Sequence, residues 1–484
     1  MDSELSTSSQ SKPVVAGGYR ELLIIAIPMV LSSGTQSLMH VFDRVFLTWY
    51  DPEAMAAALP AGILFWSCLS LPFGIIMYTN AFVAQYYGAR QPQREAASVW
   101  QATHLALGCG LLLMFPALWS RQIFAAIGHE AGVSVLEAEY FSWLSLGSVP
   151  ALLTVALSCF FSGRGQTNVV LFVNVASVLV DLVLDYAMIF GWGPIPRLGI
   201  VGAAVSTNIG NLFSVLLYLL LLWRSDASGQ SQFWRNSRLD GPLMRDLLKF
   251  GGPSGVQMLI DVAGFTVFMM ILGWIGTVEL AATNIAFNLN TLAFIPVHGV
   301  GVAVSTLVGQ RIGEGRPELA ATSVHKGFVL AGGIMLAWGA VYLFAPQWLI
   351  APYAYRTQDA NFGEVRATVV VLLRFVALYS FFDAMAIVFG SAVRAAGDTV
   401  FSMIVTCVCA WGLLVMPTYW TWYSYQGHAD RSSLLFWSWV WCSVYVMTLG
   451  FVFLVRFLGG RWKTMSVITP TNPVVPALDP TTVS

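Results

Sequence analysis

Five aspartates lie deep inside long apolar segments of this 484-residue chain. They are Asp43, Asp181, Asp185, Asp261 and Asp383. Placing a carboxylate at the centre of a bilayer costs about 2.5–3.5 kcal/mol on insertion scales, so acidic residues are rare in spanning helices and usually mark an ion, proton or substrate path. Three of the five are in the first half of the chain and two are in the second. This distribution indicates a coupled transporter.

The first three aspartates are candidates for one ion-coupling or proton-coupling site. Asp181 and Asp185 are four residues apart, so they share a face of one helix. Two like charges this close repel each other, which favours either a shared proton or a bound cation. We expect Asp43 and Thr207 to contribute to the same site.

The second half of the chain offers a second candidate site. Tyr379 and Asp383 also share a helix face, and with Asp261 they would bind a cation or relay a proton through the phenol oxygen. Further polar residues are candidates for lining a cavity or tuning the acids, namely Gln36, His40, Gln257 and Asn284. No catalytic residue is assigned. The six cysteines lie in apolar stretches without zinc-type spacing, so no metal site is expected either.

The composition is that of a membrane protein. The chain is 57% hydrophobic and 10% charged, whereas about 25% of the residues of a soluble domain are charged. A net charge of -1 argues against a nucleic-acid partner. No phosphate-binding lysine loop is present, which argues against direct ATP drive. No cofactor is expected, and the coupling ion would be a proton or sodium.

A sliding count of apolar residues predicts twelve spans of about 20 residues or more. They cover residues 21–48, 55–79, 97–118, 138–161, 168–191, 200–223, 247–275, 279–306, 325–350, 366–393, 400–424 and 432–458. With the N-terminus inside, 17 of the 24 Lys and Arg residues (Arg394 among them) lie on the inner side and five on the outer side. The positive-inside rule therefore places both termini in the cytoplasm.

The two halves of the chain are repeats of each other. Residues 28–97 match residues 253–322 at a constant offset of 225, and the strings VAQYYGARQP and VGQRIGEGRP are visibly the same loop. At this offset Gln36 occupies the position of Asp261. Because 225 residues contain six spans, an even number, the halves have the same orientation in the membrane. A parallel repeat of this kind predicts two lobes with a substrate cavity between them.

These features resemble the MATE family of multidrug and toxic compound extrusion transporters. The segment IPMVLSSGTQSLMHVFD is similar to the family's first helix, which ends at an acid, here Asp43. DLVLD at Asp181–Asp185 stands where many members have an Asn and an Asp, as in DinF-like proteins. Asp261 and the YSFFD segment ending at Asp383 resemble the acids of NorM-like members.

The resemblance implies an all-α, V-shaped membrane protein of two six-helix bundles. We expect an N-lobe at 19–224, a cytoplasmic linker at 225–246 and a C-lobe at 247–458, with disordered ends at 1–18 and 459–484. The implied function is secondary active export of organic cations or amphiphilic drugs, driven by proton or sodium entry. We expect a monomer in the plasma membrane (the inner membrane of a bacterium).

Two other functions are alternatives to drug export. The first is a flippase or exporter of lipid-linked or polar metabolites in the same superfamily. Such a protein needs cations in its cavity, whereas only Arg44 and Arg374 lie within the predicted spans, against five acids. The second is an integral membrane enzyme, for which the chain has no recognisable catalytic motif. In the export hypothesis, Pro28 and Pro253 free backbone carbonyls and permit bending of the first and seventh spans.

Overall fold

A computed structural model describes residues 17–227, 233–354, 362–424 and 430–468. The expected disordered segments at 1–18 and 459–484 lie for the most part outside these residues. Within them the chain is almost entirely α-helical and contains no strand. The expectation of an all-α protein is therefore confirmed.

The described residues form seventeen α-helices. They are α1 Tyr19–Tyr50, α2 Pro52–Met77, α3 Thr79–Gly88, α4 Pro92–Met114, α5 Ser120–Ile127, α6 Ala131–Leu146, α7 Ser148–Gly163, α8 Thr167–Phe190, α9 Ile200–Ala227, α10 Gly241–Ile275, α11 Thr277–Gly313, α12 Pro317–Phe344, α13 Pro346–Ala354, α14 Phe362–Ala396, α15 Thr399–Cys409, α16 Met416–Ser424 and α17 Arg431–Leu458. A π-helical turn, Ala410–Val415, joins α15 to α16. Several helices have proline in the first turn, where its missing N–H costs nothing.

Eleven helical segments among the described residues are long and apolar enough to cross a membrane. A twelfth crossing is formed by α6 and α7, which are bent by 44° at Gly147. The expectation of twelve spans is confirmed in this sense. Several spans begin earlier than the hydropathy predicts, because their first turns are polar and lie at the end of the bundle.

The helix bounds follow the internal repeat. Helix α11 begins 225 residues after α2, and α12 begins 225 residues after α4. Pro28 and Pro253 lie inside the continuous helices α1 and α10. We refer to α1–α9 as the N-lobe and to α10–α17 as the C-lobe.

The two lobes approach each other most closely where glycine occurs. A Cβ atom on Gly74 of α2 would lie 2.7 Å from the Cα atom of Gly255 on α10. A Cβ atom on Gly299 of α11 would lie 2.9 Å from the backbone nitrogen of Val30 on α1. Side chains are therefore sterically excluded from these crossings, which lets the backbones of the two lobes touch.

Hydrogen bonds between the lobes lie at one end of the helices. Tyr78 donates its hydroxyl to the carbonyl oxygen of Arg394 at 2.8 Å. The Gln85 amide donates to the carbonyl of Ala395 at 2.8 Å, and the Gln310 amide donates to the carbonyl of Gly163 at 2.9 Å. We call this end, where α3, α7, α11 and α14 terminate, the closed side.

At the opposite end no hydrogen bond joins the two lobes within the part of the chain that the structure describes. We call this end the open side. Interlobe hydrogen bonding at one end only accords with the V shape expected for the fold.

Described residues in two segments outside the predicted spans make defined contacts. In the expected linker 225–246, α9 continues to Ala227, and Phe233 is buried with its carbonyl accepting a bond from the Trp100 indole at 2.9 Å. Residues 459–468, which we expected to be disordered, pack against the closed side, with Trp462, Val467 and Ile468 buried. Their apolar side chains are covered by both lobes, which local composition does not reveal.

Candidate functional site

Three carboxyl groups converge inside the N-lobe. Helix α8 places Asp181 and Asp185 one turn apart, and each is only 1% exposed. Asp43, on the adjacent helix α1, is close enough to interact electrostatically with both. The structure thus brings together the three N-lobe aspartates that the sequence singles out.

Few of the carboxyl oxygens in this group accept a hydrogen bond. Ser206 donates its hydroxyl to one oxygen of Asp185 at 2.8 Å. Both oxygens of Asp181 and one each of Asp43 and Asp185 have no hydrogen-bond partner among the described residues. Buried acceptors without donors are costly. The arrangement therefore favours a bound proton or cation.

The hydroxyl that donates to Asp185 is not that of Thr207, the residue that the sequence predicts for this site. Thr207 donates to the carbonyl of Ala203 in its own helix at 3.1 Å. The preceding residue, Ser206, faces Asp185 instead. Neighbouring helical residues point about 100° apart, so a one-residue difference decides which side chain enters the site.

Tyr140 of α6 is a fourth member of the N-lobe site that the sequence did not suggest. Its phenol is close enough to interact electrostatically with the three aspartates. Glu137 and Glu139 precede Tyr140 in the sequence, but neither indicates that its phenol faces the aspartates of α1 and α8. Only the packing of α6 beside α9 and α2 brings it to the acids.

His40 and Arg44 lie on the exposed rim of α1. The His40 imidazole is 3.7 Å from the Asp43 carboxylate, and its side chain is 67% exposed against 14% for Asp43. Arg44 is exposed and forms no ion pair with Asp43. Arg44 also acts electrostatically on Tyr140, but it forms no ion pair with any of the three aspartates.

The C-lobe acids belong to two separate environments. On α14, Tyr379 and Asp383 interact with each other and with Cys442 of α17. Asp261 of α10 instead has its charge interaction with Arg394. Tyr445 of α17 interacts with both acids and links the two environments. The expected group of Asp261, Tyr379 and Asp383 is therefore linked through a second tyrosine, Tyr445.

Arg394 is a C-lobe residue whose role is not evident from the sequence. It is close to the end of α14, so its charge was counted with the inner surface. Its side chain turns inward, where it interacts with Asp261 and Tyr78. The partly buried Arg394 guanidinium acts on Asp261 without a direct ion pair, whereas no arginine or lysine acts in this way on Asp181 or Asp185.

Among the described residues, no hydrogen bond or ion pair joins the remaining candidate residues to the acids. Gln36 on α1 and Asn284 on α11 are exposed. Gln257 on α10 is partly buried, and its side-chain oxygen has no hydrogen-bond partner among the described residues. Across the same residues, no group of three His, Cys, Asp or Glu side chains is arranged to hold a metal ion.

Twelve apolar spans in two repeated lobes, open at one end and carrying buried carboxylates, are the architecture of a membrane transporter. The MatE family model matches residues 28–187 and 253–420, one region in each lobe. The chain belongs to this family and is a multi-pass membrane transporter, not an enzyme. The family resemblance seen in the sequence is confirmed.

Relatives and solved structures support this assignment over most of the chain. A probable multidrug resistance protein NorM of Bradyrhizobium diazoefficiens is 26% identical over 407 residues, covering 84% of this chain and 87% of that protein. The multidrug resistance protein PmpM of Pseudomonas aeruginosa is 26% identical, covering 81% and 82%. A structure described as the outward-facing conformation of a multidrug resistance MATE family transporter superposes with a TM-score of 0.80 at 21% identity, covering 92% and 97%.

Proposed function

We propose that this protein is a secondary active antiporter that exports organic cations or amphiphilic drugs in exchange for entering protons. The observation that carries the proposal is the buried group of Asp43, Asp181 and Asp185, with unpaired oxygens and one hydroxyl donor. The names of the relatives, multidrug resistance proteins NorM and PmpM, support the substrate class.

The proton is favoured over sodium as the coupling ion at the N-lobe site. While both are ionised, the carboxylates of Asp43 and Asp185 repel each other, and a proton bound to either one removes that repulsion. Sodium would instead need several converging oxygen ligands at this site. It is the alternative that the experiment below distinguishes.

Charge supports a cationic substrate over a phosphate-linked one. A flippase for lipid-linked sugars requires unpaired cations to hold its pyrophosphate, but the charge of the inward-facing Arg394 is opposed by Asp261. Asp383 of the C-lobe has no comparable cation among the charges that act on it. The cavity between the lobes would therefore attract positive solutes.

The orientation of the protein follows from its surface charge. We propose that the closed side, which carries most of the Lys and Arg residues, faces the cytoplasm of a cell whose plasma membrane holds the protein as a monomer. Both termini would then be cytoplasmic. The open side would release substrate outward.

The test is transport of a fluorescent cation in proteoliposomes, first with a proton gradient and then with a sodium gradient. We expect the proton gradient alone to drive transport. Asp43→Asn and Asp185→Asn should abolish coupled transport, whereas Glu364→Gln, at an exposed position of α14, should leave it unchanged. Transport driven only by sodium would refute proton coupling. Normal transport by both aspartate variants would refute the N-lobe site.

A further inference from the structure

The chain does not end at its last spanning helix but crosses from the C-lobe to the N-lobe. After α17, a short helical turn, Arg461–Thr464, is fixed by Trp462, whose indole donates to the carbonyl of Phe457 at 2.9 Å. Lys463 pairs with Glu318 of α12 at 3.0 Å. Residues 465–468, which we call the C-terminal strap, then lie across the closed side.

One glutamine joins the strap to both lobes. Gln85 of α3 is fully buried and uses both ends of its amide. Its nitrogen donates to the carbonyl of Ala395, and its oxygen accepts bonds from the Ser466 hydroxyl at 2.9 Å and the Val467 backbone N–H at 3.0 Å. A single N-lobe side chain thus binds two separate pieces of the C-lobe.

Apolar packing completes the attachment. Val467 and Ile468 are 5% and 7% exposed. They share a buried cluster with Phe82 and Tyr86 of α3 and with Leu247 of α10. The strap therefore fills the seam between an N-lobe helix and the first helix of the C-lobe.

The internal repeat provides a comparison for this contact. Gln310 of α11 is the repeat equivalent of Gln85, and its amide donates to the carbonyl of Gly163 in the opposite lobe at 2.9 Å. The two glutamines make matching interlobe bonds. Only Gln85 also accepts bonds from the strap in the described structure. The two glutamines thus make equivalent bonds between the lobes, whereas the strap is bound by only one of them.

We propose that the C-terminal strap is a latch that stabilises the state in which this side is closed. The proposal rests on the alternating access of the proposed antiporter, because that motion must separate α3 from α10 and from the end of α14. Opening would break either the bonds of Ser466 and Val467 to Gln85 or the apolar contacts with α10. The strap therefore biases the two-state equilibrium without touching substrate or the buried acids.

The test compares two truncations of the otherwise complete protein. One ends at Ile468 and keeps the strap, and the other ends at Thr464 and removes it. Spin labels at Asn168 and Val400, which are exposed at the starts of α8 and α15 on the closed side, report the separation of the lobes. We expect loss of the strap to raise the population with the longer distance about tenfold, the size expected for losing a few hydrogen bonds and buried contacts.

A point variant distinguishes a specific loss of the latch from a general loss of folding. Ser466→Ala should raise the long-distance population by a smaller factor than the Thr464 truncation, while thermal unfolding stays close to that of the Ile468 truncation. Equal label distances in the two truncations, in a protein that still switches during transport, would overturn the latch alone. A full-length protein that transports with no change of label distance would overturn both the latch and the proposed alternating access.

Discussion

At the residue scale, some groups of the site can be predicted from the sequence and others cannot. The five aspartates stand out because a carboxylate is costly in an apolar helix. Ser206, Tyr140 and Arg394 do not stand out, because serine and tyrosine are ordinary membrane residues and an arginine near a helix end is usually solvated. Their roles depend on the rotation and packing of neighbouring helices, which no local pattern records.

The pair Ser206 and Thr207 tests the N-lobe geometry directly. Ser206→Ala removes the hydroxyl that donates to Asp185 at 2.8 Å, so the ionised carboxylate loses its described donor. The expected result is a shift in the pH dependence of transport with little change in folding. Thr207→Ala, the adjacent control, removes a hydroxyl bonded within its own helix and should leave the pH profile unchanged. Identical profiles for the two variants would contradict this arrangement.

The charges of Arg394 and Asp261 should be energetically coupled. Arg394→Gln removes the positive charge that acts on Asp261 and should destabilise the protein by about 0.5–3 kcal/mol. Adding Asp261→Asn should restore much of the lost stability, because no unpaired charge then remains. Thermal unfolding of the two single variants and the double variant in detergent measures the coupling. Additive effects would show that the two side chains do not interact.

At the element scale, the repeat and the hydrophobic runs suffice to predict the twelve spans and the two lobes. They do not predict the bend between α6 and α7 at Gly147, nor the ordered C-terminal strap. Both depend on contacts between elements far apart in sequence. Residues 465–468 show this most clearly. They contain two adjacent apolar residues in a proline-rich tail, and nothing in the sequence indicates that Gln85 and α10 cover them.

Two glycines on α2 allow the interlobe crossing to be tested. Gly74→Ala would place a methyl group 2.7 Å from the Cα atom of Gly255, so we expect a loss of about 1–3 kcal/mol as the lobes are forced apart. Gly62→Ala on the same helix has no neighbouring atom within 4 Å and should be neutral or slightly stabilising. Thermal unfolding compares them. Equal melting temperatures for the two variants would contradict a close-packed crossing.

At the scale of the whole molecule, the V shape would be one of the two states that the proposed antiporter visits. Contacts hold the lobes together at the closed side, and the glycine crossings would allow one lobe to rock against the other. Protonation drives this motion only if the two states bind the proton with different affinity. The buried acids at Asp43 and Asp185 supply the groups whose environment would have to change.

Labels on the open side make this coupling measurable. Glu53 and Thr277 are exposed near the starts of α2 and α11, one in each lobe, at nearly equivalent places in the repeat. Lowering the pH from about 8 to about 5 should protonate the acid group and shorten the distance between these labels, since the structure already has this side open. In the Asp43→Asn/Asp185→Asn variant the distance should no longer respond to pH, because its titrating carboxyls are gone. If the unaltered protein transports in response to a pH gradient while this distance stays constant, the lobes do not rock in the way that the repeat implies.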